Sequence, residues 1–356
     1  TCLKKYKFIN EKKKKIPVCV IGAGRIGLSH EFDNKRIKPA SHVGMWVRNK
    51  NCNLVAICDK NLSQYKKAKK LKKNIKFYED PKKMLNDIKP KIVSIATWKD
   101  THFKITKLCI LHGVKVIVLE KPLANNIKQA KEIINLIKRK KVKILVNHRR
   151  RFDNEIIKLK NKLDKGLIGE IIQASSYYVY GLLTTATHAI DTLRYLLSGK
   201  AGEVKEVYGF KNNFKNFSSS DDKNYDAILV FHNGLKVTLQ SLDMKSYDNF
   251  DFHFYGKKGK ILITDIGRSI LKYNIQKSSE HSGFTELNQK PIKLCKSKPR
   301  NQFAKLSENA VECLENKKVL PLCSAEDSFI DMEIINKIIL SAKNKSTVKK
   351  ISLKVN

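Results

Sequence analysis

A glycine-rich turn near residue 20 constrains the fold of this chain more than any other feature. The apolar run Val18-Cys19-Val20-Ile21 leads directly into Gly22-Ala23-Gly24-Arg25-Ile26-Gly27. In a strand-turn-helix unit the first glycine permits a tight turn, the second lets a pyrophosphate approach the backbone, and the third lets the helix pack against the strand. The pattern alone also fits a plain strand-to-helix turn, so the segments around it decide its meaning.

The next 130 residues alternate between short apolar runs and longer amphipathic stretches. The apolar runs are rich in Val and Ile, as central parallel strands are, and the stretches between them have helical spacing. The runs cover residues 54–58, 92–96, 114–119 and 144–146, and the stretches cover 63–71, 101–112 and 127–140. This alternation predicts βαβ units, and therefore an α/β Rossmann domain with a doubly wound parallel sheet over residues 16–150.

The pattern changes after residue 151. One helix, predicted to end near Gly166, is followed by β-branched and aromatic runs joined by short turns, including the predicted hairpin turn His232-Asn233-Gly234. Residues 151–356 are therefore predicted to form an α+β substrate and oligomerisation domain with an open, mainly antiparallel sheet. A last helix, at about 324–341, is expected to pack at the domain junction. Residues 1–15 carry a lysine run without an apolar stretch and are predicted to be a flexible basic tail.

Asp59 stands at the end of the second predicted strand, where it can accept hydrogen bonds from the adenosine ribose of a dinucleotide. A carboxylate there repels a 2′-phosphate and favours NAD over NADP, although the neighbouring Lys60 leaves NADP open. The interval from Gly27 to Asp59 is longer than the roughly 20 residues that the dinucleotide fingerprint leads one to expect. It predicts an inserted loop near residues 31–42, which would cover the cofactor or touch a neighbouring subunit.

The formal net charge of +39 raises the question of a polyanionic partner. Only ten of the 72 basic residues are arginine, and the lysines are spread along the whole chain rather than in one stripe. We interpret the excess as a composition bias at solvated positions and predict no specific nucleic-acid partner. The charge would still steer anionic substrates inward.

Cysteine spacing and hydropathy restrict the remaining classes. The eight cysteines show no paired metal spacing, so no metal is predicted, and Cys19, Cys58 and Cys109 fall inside apolar runs as buried thiols of a reducing compartment would. No run approaches the ~18 apolar residues of a membrane-spanning helix. We therefore expect a soluble, cytoplasmic protein with no membrane partner.

Three further motifs complete a pattern: Ile95-Ala96-Thr97 with His102, Glu120-Lys121-Pro122, and His188-Ala189-Ile190-Asp191. With the glycine turn they resemble the Gfo/Idh/MocA family, named after glucose-fructose oxidoreductase, inositol dehydrogenase and a rhizopine-catabolism protein. The resemblance runs from about residue 16 to residue 351. It also includes the segments 147–152, 166–171 and 255–259.

The resemblance implies a nicotinamide ring near Glu120-Lys121-Pro122, with Lys121 beside the carbon that gives or takes the hydride. A lysine ammonium there stabilises a developing alkoxide, and burial lowers the pKa of a lysine toward the working range. Out of this context, Lys121 would be one more surface lysine. The predicted cofactor contacts are Gly22, Gly24, Arg25, Ile26, Gly27, Asp59, Thr97, Trp98, His102, Glu120 and Lys121.

His188 is the candidate general base in oxidation and general acid in reduction, because imidazole titrates near neutral pH. Many family members have an Asp four residues before this His as part of a proton relay, whereas this chain has Thr184. Threonine can hydrogen-bond substrate or water but cannot hold a charge. Either His188 works unaided, or the reaction differs from simple alcohol dehydrogenation. Asp191, one turn further, is expected to contact substrate, stabilise the helix N-terminus or orient a neighbour.

The triplet Arg149-Arg150-Arg151 stands out in an arginine-poor chain. Guanidinium groups bind carboxylate or phosphate bidentately, so the triplet could select an acidic or nucleotide-linked sugar, or it could form a local salt-bridge cluster. Tyr178 and Tyr180 could line the same pocket or be ordinary sheet aromatics.

The sequence thus predicts an NAD(P)-dependent oxidoreductase acting on a CH–OH carbon of a sugar, cyclitol or nucleotide-sugar-like substrate. Two alternatives remain: an NAD-dependent glycosidase of the same fold, and a non-catalytic cofactor-binding sensor or assembly protein. An open sheet face leads us to expect a homodimer or homotetramer.

Overall fold

The computed structural model describes residues 14–212, 222–243, 247–295 and 301–351. Residues 1–13, most of the predicted tail, lie outside this part of the chain. Within it, the first sheet is entirely parallel, in the order β3-β2-β1-β4-β5-β6. Its strands are β1 (Ile16–Ile21), β2 (Cys52–Cys58), β3 (Lys76–Tyr78), β4 (Ile92–Ile95), β5 (Val116–Leu119) and β6 (Lys143–Val146). The predicted Rossmann domain is confirmed.

Helices cover both faces of this sheet, because its central strands have no polar side to turn to solvent. Every residue of β4 and β5 is buried, as expected for strands between two helical layers. The helices of this half are α1 (His42–Arg48), α2 (Leu62–Leu71), α3 (Pro81–Ile88), α4 (Lys99–Leu111) and α5 (Ile127–Lys140). Cys19, Cys58 and Cys109 are free thiols buried in this core.

The second sheet is mostly antiparallel, and one pair of its strands, at residues 171–178 and 236–241, is parallel. This mixed sheet confirms the predicted α+β class. Its order is β14-β13-β12-β11-β7-β10-β9-β8-β16, with β15 paired to β13. The strands are β7 (Ile171–Tyr178), β8 (Val204–Lys211), β9 (Tyr225–Phe231), β10 (Lys236–Ser241), β11 (Phe250–Gly256), β12 (Gly259–Thr264), β13 (Ser269–Lys277), β14 (Thr285–Leu287), β15 (Ile292–Lys293) and β16 (Lys349–Lys350).

One helix belongs to both hydrophobic cores. The helices of the second half are α6 (Asn154–Asp164), α7 (Thr187–Ala201), α8 (Gln302–Glu315) and α9 (Ala325–Lys343). A capping box of Ser324 and Asp327 starts α9. Phe329, near its start, packs in the first core, and Ile334 and Ile338 pack in the second. In the described part of the chain, no helix combines the length and apolarity needed to cross a membrane.

The helix after the glycine turn is interrupted by an insertion. One turn of backbone bonds begins at Gly24, and a short 3-10 helix, Ser29–Phe32, and a loop follow it before α1 begins at His42. The His42 amide then donates to Ile26 O at 3.1 Å, and the Val43 amide donates to Gly27 O at 2.9 Å. The backbone hydrogen bonds of α1 therefore continue from those of the turn that starts at Gly24. The inserted loop lies between the two parts, at the position that the long interval before Asp59 predicted.

Candidate active site

Two of the three glycines in the turn have no room for a side chain, whereas Gly24 faces open space. Gly22 has φ +90°, and a Cβ there would lie 2.6 Å from Ala96 O, so only glycine fits this turn. A Cβ at Gly27 would overlap the carbonyl of Gly22. A Cβ at Gly24 would meet no atom within 4 Å. This open space over the second glycine is what the approach of a pyrophosphate requires.

Asp59 reaches back to the glycine turn, as its position after β2 predicted. Its Oδ2 accepts the Ala23 amide at 2.7 Å and its Oδ1 accepts the Asn61 amide at 2.8 Å. The side chain is partly exposed, as is Ile26, whereas Arg25 and Lys60 are exposed. These residues fit the ribose and phosphates of a dinucleotide, with a carboxylate at the ribose position.

His102 connects two loops rather than facing open space. Its Nδ1 lies 2.7 Å from Pro122 O and its Nε2 lies 3.1 Å from Thr97 O. The ring is buried, and burial lowers its pKa despite both carbonyls. The expectation that His102 contacts the cofactor directly is therefore corrected: it holds the loop after β4 against the loop after β5. Thr97 is partly exposed, and Trp98 is 85% exposed at the start of α4.

Glu120 is held by two residues from distant parts of the chain. Its Oε1 accepts from His42 Nε2 at 2.8 Å and from Asn147 Nδ2 at 2.6 Å. Burial alone would raise the pKa of Glu120, but these two bonds and the charge of Lys121 outweigh it and lower the pKa. No motif pointed to His42, which lies 78 residues before Glu120. Asn147 stood in a recognised segment without an assigned role.

Lys121 extends from the end of β5 to the turn that precedes α7. Its Nζ donates to Thr184 O at 2.8 Å. Burial is the largest influence on the Lys121 pKa and lowers it, while the carboxylates of Glu120 and Asp222 act in the opposite direction. The structure thus joins a residue of the first sheet to the segment that carries His188.

His188 lies in the first turn of α7 and is partly exposed. Burial lowers its pKa well below the ordinary value, and the charges of Lys121, His148, Arg150 and Arg149 add to that effect. Its ring packs edge-on against His148, with centroids 5.5 Å apart. Because the imidazole is neutral near pH 7, it can accept a proton.

Thr184 is bonded to a carboxylate that the sequence did not point to. Its Oγ1 donates to Asp222 Oδ2 at 2.6 Å, and its amide donates to the same oxygen at 2.8 Å. The Leu183 amide donates to Asp222 Oδ1 at 2.8 Å. Asp222 lies 38 residues after Thr184, and no local spacing connects the two.

The arginine triplet is divided among three environments. Arg151 is buried, and its Nε donates to Asp191 Oδ1 at 2.9 Å, so both are corrected from substrate contacts to partners of each other. The Arg150 guanidinium stacks over Phe250 at 3.7 Å. Arg149 is exposed, and its Nε donates to Gln302 Oε1 at 3.0 Å. Arg149 and Arg150 remain candidates for substrate binding.

Tyr178 is corrected as well, because it is fully buried. Its hydroxyl donates to Tyr225 O at 2.7 Å, which fixes β7 to the start of β9. It is an ordinary sheet aromatic, one of the two interpretations that the sequence left open. Tyr180 is partly exposed, with φ +73°.

A buried acidic cluster lies beneath His188. His148, Asp191 and Asp331 bring ligand-type atoms within 4.8 Å of one another. Arg194 Nη1 donates to Asp331 at 2.6 Å, and Arg151 donates to Asp191 at 2.9 Å. Two buried guanidinium groups already compensate these carboxylates, and they oppose a further cation.

Two family models match the chain. One, described as "Oxidoreductase family, NAD-binding Rossmann fold", covers residues 16–148, and the other, described as "Oxidoreductase family, C-terminal alpha/beta domain", covers residues 181–350. Together they span more than half of the chain. The first half is therefore an NAD-binding domain, as predicted.

Individual proteins are similar at lower identity. The uncharacterized oxidoreductase YhhX of Escherichia coli is 27% identical over 57% of this chain and 61% of its own length. The chain thus spans about three fifths of that relative. The D-glucoside 3-dehydrogenase of Escherichia coli is 22% identical over 77% of this chain and 88% of its own length. The crystal structure of the WlbA dehydrogenase from Bordetella pertussis with NADH and UDP-GlcNAcA has a TM-score of 0.75 at 16% identity, and covers 96% of this chain and 99% of that one.

Proposed function

Since the chain belongs to the Gfo/Idh/MocA family of oxidoreductases, we propose that it transfers a hydride between NAD and a secondary alcohol or ketone carbon of a sugar or cyclitol. The observation that carries the proposal is the junction of Lys121 with the turn ahead of His188, through the 2.8 Å bond from Lys121 Nζ to Thr184 O. It brings the Lys121 amine and the segment that carries the His188 imidazole to the edge of the parallel sheet at which the dinucleotide turn also lies. Those are the groups that alcohol oxidation needs.

Each side chain has a distinct role in the proposal. NAD, when bound, supplies the hydride acceptor. Lys121 donates a hydrogen bond to the substrate oxygen and stabilises the negative charge that develops there. His188 accepts the hydroxyl proton in oxidation and returns it in reduction. Glu120, fixed by His42 and Asn147, raises the pKa of Lys121 by its negative charge and so favours the protonated amine.

The proposed substrate is a hydroxylated ring. Its chemical class is proposed by analogy with two proteins that resemble this chain. A D-glucoside 3-dehydrogenase and a dehydrogenase solved with UDP-GlcNAcA both resemble this chain. Arg149 and Arg150, which act electrostatically on His188, would favour a substrate that carries a carboxylate or phosphate. We therefore propose that neutral sugars, uronates and nucleotide sugars be compared in the same assay.

Cofactor binding is the first test. Fluorescence titration of the purified protein with NADH and NADPH is expected to show tighter binding of NADH, because Asp59 meets the ribose hydroxyls. Gly24→Asp should abolish binding, since it puts a negative charge into the open space over the turn, whereas Gly24→Ala should weaken it less. Absence of binding to either cofactor would refute the proposal.

Substitution of Lys121 tests the chemistry. Lys121→Ala is expected to lower kcat by roughly 10²- to 10⁴-fold, with the NADH dissociation constant changed by less than about threefold. Lys115→Ala is the matched control, because Lys115 is an exposed lysine at the opposite end of the same strand, and it should leave both unchanged.

Other outcomes of the same assay would point elsewhere. Product formed from a glycoside with no net change in nicotinamide absorbance would favour the glycosidase. Full biological function with Lys121→Ala would favour the sensor or assembly protein.

A further inference from the structure

Asp222, just before β9, occupies the interior of the turn between β7 and α7. Its side chain is buried, with 6% of the residue exposed. The carboxylate accepts the amides of Leu183 and Thr184 and the hydroxyl of Thr184, at 2.6 to 2.8 Å. Bonds of this kind to an ionised acceptor are about twice as strong as neutral ones. The turn is thus organised around one carboxylate.

The backbone of the turn is shaped to admit this carboxylate. Gly181, which opens the π-helical turn Leu182–Ala186, has φ +90°. A Cβ at Gly181 would lie 2.6 Å from Asp222 Cγ. The glycine therefore permits both the left-handed conformation and the close approach of the acid.

The opposite side of the same turn faces Lys121. In a trans peptide the N–H and the C=O point in opposite directions, so the unit whose Thr184 amide bonds Asp222 directs the Leu183 carbonyl away from it. That carbonyl lies 3.5 Å from Lys121 Nζ, and the Thr184 carbonyl lies 2.8 Å from it. The Leu183–Thr184 peptide therefore has Asp222 at its amide and Lys121 at its carbonyl, while the shorter bond of Lys121 goes to the carbonyl of Thr184, the residue whose amide and hydroxyl Asp222 holds.

Asp222 differs from the other charged groups around Lys121. Glu120, from the lysine's own strand end, is already engaged by His42 and Asn147. His148 and His188 have pKa values that are lowered chiefly by burial. Both rings are therefore neutral near pH 7 and supply no negative charge to the Lys121 ammonium. Besides Glu120, Asp222 is the carboxylate that raises the pKa of Lys121.

We propose that Asp222 is a positioning residue of this site, which fixes the Thr184 carbonyl against Lys121 and supplies, through the turn, the negative charge that Thr184 itself lacks. This inference rests on the proposed function only where turnover is concerned. Because the Thr184 hydroxyl donates its proton to Asp222, its oxygen can only accept a hydrogen bond from a further group. The carboxylate thus comes from the segment just before β9 and acts on Lys121 through the turn that it holds.

The first experiment measures Lys121 itself and needs no substrate. The purified protein is acetylated at a series of pH values, and the labelling rate of the peptide containing Lys121 is followed by mass spectrometry. Asp222→Asn removes a negative charge near the amine, so the labelling of Lys121 should begin at lower pH. At a fixed pH near 8 we expect a rate roughly threefold or more above wild type.

Two control variants separate charge from packing. Asp226→Asn alters a carboxylate in β9 that likewise accepts an amide and a hydroxyl, those of Ser241, at 2.7 and 2.8 Å. Thr184→Val removes the hydroxyl and keeps the acid. Neither should change the pH at which Lys121 is labelled, even if both lower the melting temperature as much as Asp222→Asn does.

Turnover provides the second measurement, once a substrate is found. Asp222→Asn should lower kcat about 10- to 100-fold, with little change in NADH affinity, and move the alkaline limb of the kcat profile to lower pH. Asp226→Asn should do neither. Labelling curves that coincide for wild type and Asp222→Asn, or that shift equally in Thr184→Val, would overturn the inference. Failure of wild type to turn over any sugar would instead refute the proposed function and leave the labelling result intact.

Discussion

His148 lies beneath His188, with its pKa lowered to about 4, chiefly by burial. A histidine with a depressed pKa favours the folded state fully above its unfolded value of about 6.5, and the benefit is lost as the pH falls toward 4. For this buried ring the loss amounts to about 3 kcal/mol in the free energy of unfolding. We therefore expect the His148 imidazole to contribute to the acid sensitivity of the protein.

The variant His148→Gln tests this expectation. Urea unfolding at pH 7 and at pH 4.5 should show a smaller stability loss on acidification than wild type shows. His102 and His188, whose pKa values are also lowered, should keep part of the effect. His232→Gln, in the exposed hairpin turn, should behave as wild type. An unchanged loss in His148→Gln would contradict the assignment.

Single residues differ in how far the sequence could predict them. Lys121 and His188 were found because each stands in a short motif at the end or start of an element. His42 and Asp222 were not, because each reaches its partner through tertiary folding, with 78 residues between His42 and Glu120 and 38 between Thr184 and Asp222. Arg151 had two possible roles, and only its buried contact with Asp191 decided between them.

Among the elements, the insertion ahead of α1 depends on Glu31. This carboxylate is buried and accepts from the Ala40 amide and the Ser41 hydroxyl, both at 2.9 Å, while Arg48 lies 2.6 Å from its other oxygen. A negative charge at the start of α1 also suits the helix dipole. Glu31→Gln is expected to cost about 1–3 kcal/mol, since it leaves buried partners poorly satisfied.

Asp33→Asn is the comparison for Glu31→Gln, because Asp33 pairs with Arg36 on the surface of the same insertion, with both side chains about two fifths exposed. It should lower the melting temperature much less than Glu31→Gln does, because exposed ion pairs contribute little to stability. Thermal unfolding of the two variants is the measurement. Equal losses would mean that Glu31 does not hold the loop.

The elements themselves were more predictable than their junctions. Runs of Val and Ile fixed the parallel strands, because a strand covered on both faces leaves no room for polar side chains. The long interval before Asp59 located the inserted loop. The hydrogen bonds across the insertion were not predicted, because helical periodicity in the sequence cannot reveal a backbone bond between Ile26 and His42.

At the scale of the whole molecule, one face of the second sheet carries partly exposed side chains at alternate positions of β7, β11 and β13 in the described part of the chain. Tyr177 and His253 pack edge to face on it, and Lys260 lies over Tyr255 and Tyr273. Such a surface is typical of an interface between subunits. A homodimer or homotetramer therefore stays our prediction.

Ile275→Glu is the test of that prediction. Ile275 continues this face on β13 and is 48% exposed, so a charge there should shift the molecular mass in solution toward the monomer, as measured by sedimentation. Leu62→Glu introduces the same change at a 54% exposed residue of α2 and should have no effect. A wild-type protein that sediments as a monomer would refute the expectation.

The backbone ladder from Ile26 to His42 also bears on how this domain can change in length. In an uninterrupted helix, His42 would be the fourth residue after Ile26, so Ser29 could be joined to His42 without loss of a rung. We therefore expect that residues 30–40 can be lengthened or exchanged while the nucleotide turn and the bond from His42 to Glu120 stay in place, as long as Ser41 is kept to accept the Gly44 amide at the start of α1.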